Sequence, residues 1–347
     1  MKAVVLRHPG EPQVLRIETV PDPAPAPREV VLQVAACGVA AHDILVRDGT
    51  IKFGVELPCI LGHEIAGTVV AVGSAIQRLR VGDRVATTQR HHICGACQFC
   101  RTGREPLCAQ RRFLGDSGMT GGYADFVAVE EDNIAIVPDE VELAGAAIAA
   151  SAIGSPYNGI RDVGRLRMGE TVLVTGAGGG LGIHALQIAK LAGAWVIAQT
   201  TSPEKADVLR AMGADAVVVH ARGEDFSQQV RALTAGRGVD MVVDHVGTPV
   251  FESSRKSLSL GGRWILLGQL DGTSVPFNPA QLFIRGQSML SAMSTTRVQL
   301  EQVLLLLQRG QIKPVITERL PLEAAAEAHA KVQRGAAVGR VVLSPLH

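Results

Sequence analysis

Four of the six cysteines, Cys94, Cys97, Cys100 and Cys108, fall in the spacing C-x2-C-x2-C-x7-C. Thiolates are soft ligands, and four in one short loop can close a tetrahedron around Zn²⁺. No position is then left for water or substrate. Such a metal is structural: it holds a lobe that otherwise lacks a core. Disulfides, or unrelated loop cysteines, are the competing readings. Disulfides suit small secreted chains, and no secretory leader is evident here, because Met1-Lys2-Ala3-Val4-Val5 enters a strand pattern at once.

A second concentration of chemistry follows the apolar run Thr171–Thr175, which leads into Gly176-Ala177-Gly178-Gly179-Gly180-Leu181-Gly182 and then a helical pattern. Glycine lets the backbone turn sharply and lets a pyrophosphate approach the helix N-terminus, where free N–H groups and the dipole favour negative charge. Thr175, Gly176, Gly178, Gly179, Gly180 and Leu181 are the candidate contacts. Ala177 breaks the strict G-x-G-x-x-G register, so the placement between strand and helix carries the reading; a turn needed only for packing is the alternative. At the end of the next strand a carboxylate would accept hydrogen bonds from the adenosine ribose and repel a 2′-phosphate. The chain has Gln199-Thr200-Thr201-Ser202-Pro203-Glu204-Lys205 there instead. Thr200, Thr201, Ser202 and Lys205 are suited to a phosphate, which favours NADP(H) over NAD(H). Alternatively, Ser202 is a helix N-cap and Lys205 a solvated first-turn residue. Val246, Gly247, Thr248, Gly268 and Gln269 follow later strands on the side where dinucleotide contacts are expected.

These sites need elements to position them. The chain has 347 residues, enough for two domains with sizeable cores. Before about residue 150 short apolar runs (3–6, 30–35, 65–72, 83–87, 124–129) alternate with Pro and Gly, including the stretch 21–27, which predicts a β-rich unit. After it strands and helices alternate: strands at 171–175, 195–199, 216–219, 241–244 and 264–267, helices at 181–191, 203–212, 224–234 and 250–258. Continuous apolar strands between helices predict a parallel sheet covered on both faces, an α/β doubly wound arrangement. A long helix at 298–308 and a closing strand at 338–343 end the chain, and that strand is suited to return to the first unit. The net charge of +1 gives no electrostatic reason to expect nucleic acid or an anionic membrane, and aromatics at 3% leave few base-stacking platforms. No apolar run is long enough to span a bilayer. A cytoplasmic protein acting on a small molecule is the expectation, with neither nucleic acid nor membrane as partner.

Together these features resemble the zinc-containing alcohol dehydrogenase family of the medium-chain dehydrogenase/reductase superfamily. The resemblance rests on Gly62-His63-Glu64 with Ala66-Gly67 and Val70, Gly82-Asp83-Arg84-Val85, the four-cysteine lobe, Gly121-Gly122-Tyr123-Ala124, the glycine turn, and Gly261-Gly262-Arg263. It implies a GroES-like β-rich catalytic domain from 1–152 and 290–347, with the zinc lobe at about 90–112, and a Rossmann domain at 153–289. It also implies an active site in the cleft between them and a homodimer, with a tetramer open. Members with a catalytic zinc hold it through a Cys, the His of G-H-E, and a Cys or Asp before the cofactor domain. Here Cys37-Gly38-Val39-Ala40-Ala41-His42-Asp43 puts Ala40 at the first position, and Ser151 stands at the third. Alanine cannot ligate and a serine hydroxyl is a poor zinc ligand, so catalytic zinc is expected to be absent or weak unless Cys37 or Cys59 substitutes.

Alcohol oxidation needs a Lewis acid to stabilise the alkoxide. Hydride addition to an alkene conjugated to a carbonyl needs less: a hydrogen bond to the carbonyl oxygen and a proton for the α-carbon. The chain further resembles the acryloyl-CoA reductase-like branch, in Val246-Gly247-Thr248-Pro249, Phe251-Glu252-Ser253, Lys256-Ser257-Leu258 and Thr201–Lys205. The expected function is reduction of an enal, enone or enoyl thioester; a zinc alcohol dehydrogenase and a non-catalytic dinucleotide-binding protein are the alternatives. His42 occupies the family's proton-relay position, or is a packing histidine. His63 and Glu64 are expected as a hydrogen-bonded pair or a weak metal site, with Asp43 fixing the His63 tautomer. Tyr157 offers a phenolic donor near Ser151, or packs. His91 and His92 edge the pocket, or are ordinary loop histidines.

Overall fold

The structure, a computed structural model, describes residues 1–345. The chain divides into two compact units, Met1–Gly154 with Ser294–His347, and Ser155–Met293.

The first unit is built on a seven-stranded sheet. Its order is Ile134–Ile136, Arg84–Thr87, Glu64–Val72, Glu29–Val39, Arg340–Ser344 and Ile316–Pro321, with Phe126–Glu130 also pairing to Glu29–Val39. The eleven-residue strand Glu29–Val39 is its spine, and the run at 30–35 that marks it in the sequence supplies Leu32 and Val34 to the core. Leu32 is fully buried, so Leu32→Ala removes contacts worth roughly 2–5 kcal/mol. The closing strand does return: Val341, Val342 and Leu343 pair antiparallel with Val39, Gly38 and Cys37. A smaller sheet of Arg16–Thr19, Lys2–Leu6 and Cys59–Ile60 packs on the same core. Two helices matter for the site and have short, weakly periodic sequences: Ala41–Arg47 and Ala325–Gln333.

The second unit is a six-stranded, wholly parallel sheet. Its strands are β1 (Thr171–Val174), β2 (Trp195–Thr200), β3 (Ala216–Val219), β4 (Val239–Asp244), β5 (Leu258–Leu266) and β6 (Ser288–Ser291), in the order β3-β2-β1-β4-β5-β6. That is the dinucleotide-binding order, with a crevice expected at the carboxyl ends of β1 and β4 where the direction of winding switches. Val172, Leu173 and Val174 are fully buried, as are Met241, Val242 and Val243, which is why these strands read as unbroken apolar runs. Strand β5 starts earlier than the sequence suggests, because Gly261 takes φ +69° and the strand passes through it. Strand β6 has polar ends and no period-2 signal, and was not anticipated. Among the described residues no helix is long and apolar enough to cross a membrane.

Candidate active site and metal centre

The cysteine lobe is bracketed by a short hairpin, Arg90–His92 with Arg112–Phe113. Its four Sγ atoms all lie within 4.8 Å of one another. Three separations are 3.9 Å (Cys94–Cys100), 3.6 Å (Cys97–Cys100) and 3.5 Å (Cys94–Cys108). A tetrahedron with zinc–sulfur bonds of about 2.3 Å has edges of about 3.8 Å, so the thiols fit zinc. All six cysteines are free thiols, which sets the disulfide reading aside. The Cys97 N–H donates to the Cys94 sulfur at 3.4 Å. That bond and one from Ala96 pull the Cys94 thiol down to about 6, toward the thiolate a metal needs. Among the described residues this is the one group of three or more His, Cys, Asp or Glu able to converge on an ion.

A second constellation lies in the same unit. Helix Ala41–Arg47 begins at Ala40, and Asp43 at its third position reaches back to accept the Ala40 N–H at 2.8 Å, half of a capping box. Its other oxygen lies 3.3 Å from His63 Nδ1. His63 Nε2 faces Ser151 Oγ at 3.5 Å. The His42 ring stands edge-on to His63, with centroids 5.3 Å apart, and its Nε2 is 3.5 Å from Asp116 Oδ2. Burial works against charge on both members of the first pair. The His63 ring nonetheless outweighs it and holds Asp43 well below the usual carboxylate range, and Asp43 in turn holds His63 above its ordinary pKa. The result is an imidazole with one nitrogen committed to Asp43 and the other presented beside Ser151 and His42. The donors around His63 do not fit a firm catalytic zinc: the two remaining family ligand positions are a methyl at Ala40 and a hydroxyl at Ser151.

Glu64 corrects the sequence reading. It does not pair with His63. Glu64 opens strand Glu64–Val72, and neighbouring residues at a strand start face opposite ways. Its carboxylate instead takes Arg340 from the closing strand, with contacts of 3.1, 3.0 and 2.5 Å, both residues buried. Arg340 carried no local signal; only the buried carboxylate, once seen, demands a partner. Tyr157 lies in the second unit, and its hydroxyl accepts from Arg161 one helical turn along. His92 bonds Glu130 at 2.8 Å. His91 is buried, and burial with the nearby Arg112 pushes it down to about 4, a neutral imidazole rather than a loop residue.

In the second unit the glycine turn is stereochemically specific. Gly176 has φ +58°, and a Cβ at Gly182 would stand 2.3 Å from the Gly176 carbonyl oxygen. The turn role and the helix–strand packing role therefore fall on 176 and 182, and Ala177 obstructs neither. The Gly176 N–H donates to the Gln199 side chain at 2.9 Å, tying β1 to the tip of β2. Lys205 is buried with its stem over Gly178, where a Cβ would meet Cδ at 2.6 Å, so it is not a solvated surface lysine. Ser202 makes no side-chain cap, and its N–H donates to Thr200 Oγ1 at 3.1 Å; Thr201 is exposed. Asp244 at the end of β4 was missed. It accepts from Thr175 Oγ1 at 2.7 Å, the Val246 and Gly247 N–H groups at 2.9 and 3.1 Å, and Trp264 Nε1 at 3.1 Å. One buried carboxylate thus shapes Thr175, Val246 and Gly247, where Gly247 holds φ +79°. Gly268 sits against the His245 carbonyl.

Residues 26–139 match the alcohol dehydrogenase GroES-like domain, and residues 180–309 match the zinc-binding dehydrogenase family. The chain belongs to the medium-chain dehydrogenase/reductase superfamily. It is an oxidoreductase of that superfamily, in its two-domain form of a GroES-like domain and a Rossmann-like parallel sheet. It is 36% identical over 346 residues to an acryloyl-coenzyme A reductase of Sulfurisphaera tokodaii, covering 99% of this chain and 100% of that protein. It is 31% identical over 360 residues to an NAD-dependent alcohol dehydrogenase of the same organism, covering 99% and 100%. The crystal structure of AibC superposes with a TM-score of 0.92 at 41% identity, covering 100% of this chain and 96% of that one.

Proposed function

We propose that this superfamily member reduces a carbon–carbon double bond conjugated to a carbonyl, in an enal, enone or enoyl thioester, without a metal at His63. The similarity to acryloyl-coenzyme A reductases supports the substrate class. The observation that carries the reading is the donor set at His63, Asp43 on one nitrogen and the Ser151 hydroxyl by the other, together with an alanine, Ala40, at the position where the family's first cysteine ligand aligns. A nicotinamide dinucleotide, when bound, would be the source of the hydride for the β-carbon. The electron pair then moves onto the carbonyl oxygen, and the enolate takes a proton at its α-carbon. His63, whose proton affinity Asp43 raises, is suited to donate a hydrogen bond to that oxygen. His42 beside Asp116, with 38% of its side chain exposed, is suited to deliver the proton. Cys37 and Cys59 support the alcohol dehydrogenase reading poorly: burial pushes both thiols up, Cys59 to about 12.

The catalytic domain in this reading comprises residues 1–152 and 290–347, and the dinucleotide domain 153–289. Thr175, Gly176, Gly178, Gly179, Gly180, Leu181, Val246, Gly247 and Gly268 cradle the dinucleotide. Thr200, Thr201, Ser202 and Lys205 favour NADP(H), since β2 ends on Gln199 and Thr200 without a carboxylate. Tyr157 is assigned to packing. A cytoplasmic homodimer is inferred, supported by the outer position of β6 in its sheet and by exposed Phe283 and Ile284 just before it. The test is oxidation of NADPH and NADH with enals, enones and acrylyl thioesters, beside alcohol oxidation. Turnover of alcohols alone, with two zinc per chain, defeats the proposal.

A further inference from the structure

Asp43 and Tyr123 lead away from His63 into the interior of the first unit. The Tyr123 hydroxyl donates to Asp43 Oδ2 at 3.3 Å, and its oxygen lies 3.1 Å from His329 Nε2. A phenol has one proton to give. A carboxylate is the stronger acceptor, so that proton goes to Asp43. His329 must then present Nε2–H to the phenol oxygen. The nearby Arg47 charge opposes a second proton on His329. Arg47 is 1% exposed and spends one N–H on Gln333, one turn beyond His329. Burial and the Arg47 charge push His329 down to about 4, so it stays neutral. The donors all run one way, from His329 to Tyr123 to Asp43, and His63 closes on Asp43 from the other side.

We propose that Tyr123 and His329 are positioning residues: a buried hydrogen-bond relay that holds Asp43 and, through it, fixes the His63 ring with Nε2 facing Ser151. The relay gathers helix Ala41–Arg47, the segment before strand Glu64–Val72, the Gly121-Gly122-Tyr123 segment and helix Ala325–Gln333. A Phe and a Leu would fill the same volume with no polar group to desolvate, so packing alone does not call for these residues. The three donors reaching Asp43, from Ala40, Tyr123 and His63, leave it little freedom to swing.

The test uses the full-length, zinc-loaded chain with ¹⁵N-labelled histidine and three variants: Tyr123→Phe, His329→Leu, and His329→Gln, which keeps an N–H donor. The first arm is NMR without substrate. Expected are a His329 Nε2–H tautomer and an exchange-protected His63 Nδ1–H proton in the parent chain. That proton is lost in Tyr123→Phe and His329→Leu and retained in His329→Gln. The second arm, kinetics on acrylyl thioesters, rests on the function proposed above. Here kcat falls roughly 10-fold in Tyr123→Phe and His329→Leu with KM unchanged, and His329→Gln recovers most of it. A His329 Nδ1–H tautomer, or a His63 proton unmoved by Tyr123→Phe, overturns the relay. If the parent chain turns over no alkene, the function fails while the NMR arm still decides the relay. Tyr123→Phe removes a single oxygen, so it keeps the fold should His329→Leu not.

Discussion

Restoring the two absent thiolates should create a second zinc site. In Ala40→Cys/Ser151→Cys, His63 is already prepared: Asp43 occupies Nδ1 and leaves Nε2 for a metal. The distance works. Ser151 Oγ stands 3.5 Å from His63 Nε2. A tetrahedral zinc with bonds of about 2.3 Å to sulfur and 2.0–2.1 Å to nitrogen holds those atoms about 3.6 Å apart. A sulfur at 151 therefore falls on one edge of a zinc tetrahedron with little rearrangement. Position 40 is buried at the start of the helix that carries Asp43, which brings the second thiolate to the same neighbourhood. Zinc should rise from one per chain to two, measured by elemental analysis after dialysis against micromolar zinc. Ser151→Cys alone should stay near one, because two ligands hold zinc poorly. Alkene reduction should fall at least 10-fold as the metal takes up the His63 nitrogen. A folded double variant that keeps its lobe zinc and binds no other would refute the placement of Ala40 and Ser151 around His63.

Arg340→Met should destabilise the first unit by about 3–5 kcal/mol, since it strands the buried Glu64 carboxylate, while Glu64→Leu/Arg340→Met should recover most of that; urea midpoints of the two variants check it. Chelation of the lobe should release one zinc and expose residues 94–108 to proteolysis while the parallel-sheet unit, which shares no cysteine, stays protected. His91 and His329, each held near 4, are neutral when folded and take up protons when unfolded below about 6.5. Their contribution is complete above that pH and is lost as pH falls toward 4, so stability should drop by roughly 2 kcal/mol per histidine between pH 7 and 5, partly offset by His63, whose shift has the opposite sign. A double variant, His91→Asn/His329→Gln, should flatten that slope in denaturant titrations. Lys205→Ala should raise KM for NADPH several-fold and leave that for NADH nearly unchanged.

Much of this molecule was legible because its chemistry is local. The cysteine lobe lies in one loop and is legible from its spacing, and the glycine turn is legible from its place between a strand and a helix whose apolar runs are unbroken. What was not legible depends on long-range partners. Glu64 reads as a companion to His63 because they are adjacent, but strand alternation separates them and the true partner is Arg340, distant in sequence. Asp244 was overlooked because a lone acid at a strand end has no pattern; its meaning comes from the four donors that fold around it. Tyr123 belonged to a recognisable motif whose purpose appears only when His329 arrives from a late helix. Strand β6 and the helix Ala41–Arg47 are short, and packing rather than periodicity makes them form.

The return of Arg340–Ser344 to the middle of the first sheet sets an order of events during synthesis. Residues 155–293 are contiguous and emerge from the ribosome before that strand exists, so the parallel sheet is free to form early. The spine strand meanwhile waits with only its Cys37–Val39 end open on one side, beyond the stretch paired to Phe126–Glu130, and with the Glu64 carboxylate without its cation. Nascent chains paused before Arg340 should therefore hold a finished nucleotide-fold unit tethered to an incomplete one, and that interval is when a holding chaperone would be of most use.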